Sequence, residues 1–114
     1  MKKLFFVLIA SAMFVGCAVE KPLYTWYNSE DASYTYTKKQ TDKALEKAME
    51  QYEKVIKKQK GSRKVAPPGV NAEYGFLLIK ANKKEEGLSL LHAEMDTYPE
   101  SKVFISRIIK QLEK

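Results

Sequence analysis

Two side chains have the chemistry for covalent, acid–base or metal work, Cys17 and His92, and each is the single example of its kind in the 114 residues. One cysteine excludes an intramolecular disulfide, so the fold must stand on packing. A working histidine needs partners. Glu94 and Asp96 follow His92 at i+2 and i+4, and on a helix only Asp96 shares its face. One His and one Asp do not fill a zinc site. Ser89, Ser101 and Ser106 have no base beside them in sequence, and no Gly-rich phosphate loop is present. The expectation is a protein without catalytic residues, metal or cofactor, with His92 an ordinary helix-surface residue.

Two other clusters suit binding. Lys57, Lys58, Lys60, Arg63 and Lys64 form the densest basic run, read either as helix-end charge or as an anion-binding patch. Tyr24, Trp26, Tyr27, Tyr34 and Tyr36 put five large rings into residues 24–36. A solvated linker does not normally hold so much aromatic surface. Either the rings cover the helices, the reading favoured for Trp26, or Trp26, Tyr27, Tyr34 and Tyr36 bind a partner.

Cys17 acquires a role from what precedes it. Lys2 and Lys3 are followed by an apolar run, Leu4 to Val15, broken only by Ser11. Its 12 residues fall short of the roughly 20 that span a bilayer, and the pattern fits a cleaved signal. Phe14-Val15-Gly16-Cys17 resembles the lipobox of bacterial lipoproteins, with Gly16 as the required small residue and Phe14 where leucine is usual. The resemblance implies diacylglycerol on the Cys17 sulfur, cleavage before Cys17, and a thiol no longer open to catalysis. With about 0.8 kcal/mol per buried methylene, several acyl chains hold far more firmly than one. Under the usual lipoprotein sorting rule of Gram-negative bacteria, Ala18 in place of Asp implies outer-membrane residence, facing the periplasm. Cleavage removes two lysines and no acid, so the formal charge of +6 becomes +4. That mixed, modest charge does not point to nucleic acid, and it suits anionic lipid or a cell-wall polymer.

The expected division is a signal peptide over 1–16, a lipidated tether and extended aromatic arm over 17–37, and a helical domain over 38–114. The domain's first helix is expected over 38–60. Thr37 and Gln40 are placed as its capping box, Gly61 as its stop, and Ala44, Leu45, Ala48, Met49, Tyr52, Val55 and Ile56 as its apolar stripe. Glu50 and Lys54 are ordered for an i,i+4 pair. Pro67 and Pro68 start a nearly all-apolar helix from Val70 to Ala81, which must be central. Asn82 breaks it. A helix over 85–98 follows, facing inward through Leu88, Leu91, Ala93 or Glu94, Met95 and Tyr98. Ser101 is placed as the cap of the last helix. The fold class is therefore all-α, with about four helices behind an extended arm.

A 34-residue unit counted from Pro68 to Ser101 places Gly75 at position 8, Gly87 at 20, Leu91 at 24 and Pro99 at 32. These spacings resemble a tetratricopeptide repeat, in which small residues let two helices approach closely. A shift of 34 residues yields no second copy, so one hairpin flanked by other helices is expected. Arg63-x-x-x-Pro67-Pro68-Gly69, Ala72-Glu73-Tyr74-Gly75-Phe76, Tyr98-Pro99-Glu100-Ser101 and Phe104-x-x-Arg107-Ile108-Ile109 together resemble a family of small bacterial envelope lipoproteins. It is numbered forty-eight ten among the domains of unknown function. Its usual Gly after the Trp is Tyr27 here. The resemblance carries no activity. It implies a shared envelope assembly, with a partner resembling the curli secretion channel. The expected function is a membrane-anchored interaction module, and the alternative is binding of anionic lipid or cell-wall polymer through the basic run. Oligomeric state is not legible.

Overall fold

The computed structural model describes Lys2, Lys3 and residues 19–114. The rest of the expected signal segment and the expected lipidation residue Cys17 lie outside the described residues. Among the described residues the fold is all-helical, with five α-helices: α1 Ser29–Lys39, α2 Asp42–Lys57, α3 Val70–Lys80, α4 Lys84–Thr97 and α5 Lys102–Leu112. A 3₁₀ turn over Pro99–Ser101 joins the last two. Consecutive helices pack on one another, and the α3–α4 interface is the most extensive.

The arm expected to run extended through residue 37 is half helix. Ser29-Glu30-Asp31 opens α1 where a turn was expected. Glu30 and Asp31 in its first turn and Lys38 and Lys39 in its last suit the helix dipole. Gln40 takes a left-handed conformation (φ 50°), and its N–H donates to the Tyr36 carbonyl at 2.8 Å. The next helix therefore starts at Asp42, with Thr41 as cap: its Oγ1 accepts from the Ala44 N–H at 3.2 Å. The box expected from Thr37 and Gln40 does not form, because Thr37 lies inside α1 and its hydroxyl donates to the Ser33 carbonyl. The single helix over 38–60 thus becomes the end of α1, a two-residue break, and α2.

The α2 stripe is as expected, with Ala44, Ala48, Tyr52 and Val55 buried. Glu50 and Lys54 pair at 2.8 Å, but Glu50 is exposed and Lys54 only half-buried, so the pair adds little. α3 is the shared wall. Val70 and Leu77, with Tyr74, pack into a core with Ala32, Ala48, Tyr52 and Val55. Ala72, with Phe76 and Ile79, packs into a second core with Leu91, Met95, Ile105 and Ile109. A helix buried on two sides needs apolar residues almost all round, and α3 has them. Gly75 and Gly87 meet where α3 and α4 cross. A Cβ on Gly75 would fall 2.7 Å from the Gly87 carbonyl oxygen, and one on Gly87 would fall 2.5 Å from that of Gly75.

Asn82 is left-handed (φ 64°) and ends the α3 segment, as expected. Ser101 makes no cap bond to α5. Its hydroxyl donates to the Tyr98 carbonyl at 2.7 Å, because Pro99 starts a tight turn before the helix. α5 buries Ile105 and Ile109, each worth about 1.5–3 kcal/mol, and leaves Val103 and Phe104 outside.

Candidate functional site

The chain between α2 and α3 receives the arm. α2 stops at Lys57, and Gln59 then acts as a side-chain clamp. Its Oε1 accepts from the Thr25 N–H at 2.6 Å and the Gly61 N–H at 2.9 Å. Its Nε2 donates to the carbonyls of Thr25 and Val55, both at 3.1 Å. One amide side chain thus satisfies both backbone groups of Thr25, as a neighbouring strand would. Ser62 N–H donates to the Pro22 carbonyl at 3.0 Å and Arg63 N–H to that of Leu23 at 3.2 Å. The Tyr27 hydroxyl donates to the Lys58 carbonyl at 2.5 Å. Gly61, expected as a helix stop, lies four residues past α2. A Cβ there would overlap the backbone of Leu23 and Tyr24, so glycine is required by close approach of the arm.

This docking decides the fate of the rings. Trp26 keeps 39% of its surface exposed and Tyr27 37%, so Trp26 is not the buried cover favoured from sequence. The arm is held through its backbone, which leaves the indole at the surface, edge-on to Tyr24 at 6.5 Å. Tyr34 lies apart on α1, 64% exposed. Tyr36 is half-buried, with the Lys80 ammonium 5.5 Å from its ring centre. The four candidate partner-binding aromatics therefore separate into an arm pair and an α1 pair.

The basic run divides too. Lys57 is bonded to Glu53, which raises its pKa and spends its charge locally. Lys58, Lys60, Arg63 and Lys64 are exposed and make no salt bridge within the described residues. Because residues 22–25 are bonded to 59–63, these four cations and the arm rings occupy one end of the molecule. Leu23 and Val65, 55% and 42% exposed, lie in the same two segments.

The far side of this loop is tied down by groups whose partners sequence reading missed. Glu94, only 2% exposed, accepts from the Gly69 N–H at 2.6 Å, while its Oε2 has no hydrogen-bond partner among the described residues. Ala93 is the more exposed of the two alternatives weighed for the inner face. The Tyr98 hydroxyl donates to the Ala66 carbonyl at 2.6 Å, and burial, then the neighbouring Tyr24, pushes its pKa up. The basic loop is thus clamped to the arm at one end and to α4 at the other.

Other polar groups gather in two clefts. The Tyr52 hydroxyl, pushed up to about 12 by burial and then by its bond to the Glu73 carboxylate, borders a cleft of about 210 Å³ that Ser33, Tyr36, Phe76 and Lys80 also line. A wider groove of about 500 Å³ runs past Glu53, Tyr74, Glu85, Glu86 and Ser89. His92 is exposed. Among the described residues no group of three His, Cys, Asp or Glu could hold a metal ion, and no helix is long and apolar enough to cross a membrane.

The arm, the basic loop and the helices up to the middle of α5 also form one unit in comparison with known families. Residues 23–108 match the family model described as Domain of unknown function (DUF4810). The chain belongs to that family. No curated protein and no solved structure matches it. The DUF4810 match begins at Leu23 and so takes in the docked arm from that residue on.

Proposed function

We propose that this DUF4810 protein is a lipid-anchored component of a bacterial envelope, cut before Cys17, resident in the outer membrane and facing the periplasm. In this reading it is no enzyme. It is an adaptor built on one tetratricopeptide-like hairpin, α3–α4, with α5 as its capping helix, and it holds another envelope protein in an assembly. A partner resembling the curli secretion channel fits the family likeness.

The observation that carries the adaptor reading is the outer side of α5. In a row of helices each element is covered by its neighbours, and a face that meets water instead is normally polar. α5 instead exposes Val103 and Phe104 at 68% and 67%, next to half-buried Ile108 one turn on from Phe104. Adjacent exposed apolar residues of this kind mark interaction surfaces.

Two experiments test the reading separately. Cys17→Ser should abolish acylation and leave the uncut precursor. A wild-type N-terminus without acyl mass would defeat the anchor, and fractionation to the inner membrane would defeat the outer-membrane placement alone. Phe104→Glu should keep the helical signal and thermal midpoint while losing the envelope protein co-purified with the wild type in several detergents. Recovery of the same protein by the variant would rule out α5 as the adaptor surface.

A further inference from the structure

We propose that the end of the molecule formed by residues 23–27 and 58–65 is a docking surface for an anionic phospholipid bilayer, the one that carries the Cys17 anchor; the inference rests on the lipid-anchor reading. Three observations converge on that face. The first is charge. Lys58, Lys60, Arg63 and Lys64 are exposed without salt bridges among the described residues, and the sequence from residue 54 to 72 contains no acid. Glu20 is the one acid between residues 18 and 28. A basic segment close to an anionic leaflet is attracted strongly, and the attraction fades within a Debye length of about 8 Å in physiological salt.

The second is the kind of apolar surface mixed with that charge. Trp26 and Tyr27 are held with their ring surface partly in water, beside exposed Leu23 and Val65. Trp and Tyr have an apolar body and a polar edge, which suits the headgroup zone of a membrane. The Gln59 clamp and the Gly61 contact fix the backbone that presents them, so little further ordering is needed on contact.

The third is reach. Pro22, bonded through its carbonyl to Ser62, lies five residues after Cys17. Five residues span at most about 18 Å. An acylated Cys17 therefore keeps this face near the bilayer, where a weak surface attraction suffices to orient the domain. Binding to a protein through Trp26 would require the same face to turn away from the membrane to which it is leashed.

Trp26 is the only tryptophan, so its fluorescence reports this face alone. The full acylated protein is reconstituted into phosphatidylcholine vesicles with and without phosphatidylglycerol. With anionic lipid, Trp26 emission should move to shorter wavelength and acrylamide quenching should fall severalfold, and both changes should reverse in high salt. The surface variant Lys60→Gln/Arg63→Gln/Lys64→Gln should keep its helical signal and lose the lipid-dependent change. Equal Trp26 accessibility in the two kinds of vesicle, or an unchanged response in the variant, overturns the proposal and leaves the face to a protein partner. The acyl mass at Cys17, read on the same preparation, reports the anchor independently. Protection of Trp26 without that mass would sustain the docking surface while refuting the anchor.

Discussion

Gly75→Leu is expected to lower stability by about 3 kcal/mol, the upper end of what overpacking usually costs. Gly75 stands where α3 crosses α4, and even a single methyl there would lie 2.7 Å from the Gly87 carbonyl oxygen and 3.4 Å from side-chain carbons of Leu90 and Leu91. The nearest atom is backbone and cannot rotate away. The two helices must separate, and with them the core formed by Ala72, Leu91, Met95, Ile105 and Ile109. Protein interiors are too densely packed to absorb such a shift locally. Thermal or denaturant unfolding of the variant measures the effect. A midpoint equal to wild type would mean that the crossing lies elsewhere along α3. Gly69→Ala is a useful contrast, because among the described residues no atom beyond its chain neighbours lies within 4 Å of the added methyl. Its cost comes only from the positive φ of 91°, so it should leave the α3–α4 contact intact.

That crossing was legible in the sequence because steric signals are local and periodic. Small residues 12 positions apart, flanked by apolar runs and closed by Pro99, describe a hairpin without reference to anything else in the chain. The α2 stripe and the two-sided burial of α3 were readable for the same reason. α1 was not. Tyr34-Thr35-Tyr36-Thr37 alternates residues that favour strands, and only Ser29 and Ala32 of that helix are fully buried. Packing on α2 decides the conformation there, and sequence pattern does not report it. The candidate binding face was half legible. Both its basic and its aromatic residues stand out in the sequence, yet their union depends on Gln59, which meets Thr25 across 34 positions of sequence. A polar residue with a distant backbone partner leaves no period to detect, and Gly61 after a lysine-rich helix reads as the commoner helix stop.

Glu94 is the extreme case of the same blindness, and its replacement carries the second large effect. Glu94→Ala is expected to cost about 2–3 kcal/mol, in the range for a hydrogen bond to a charged group whose partner is left buried. The carboxylate sits at the C-terminal end of α4, yet it serves the N-terminus of α3, where it accepts the Gly69 N–H at 2.6 Å. Unsatisfied N–H groups and the positive end of the dipole favour an acid at that point. Gly69 is left-handed and has no side chain with which to supply a local cap, so the acceptor comes from another helix. Removing it frees the Pro67-Pro68-Gly69 entry and loosens the loop that carries Arg63 and Lys64. Glu94→Gln keeps an acceptor oxygen at the same reach and should recover part of the loss. Denaturant unfolding of the three proteins gives the ranking, and hydrogen exchange of the Gly69 amide gives the cause. Exchange at the wild-type rate in Glu94→Ala would show that the bond is not what holds this corner of the fold.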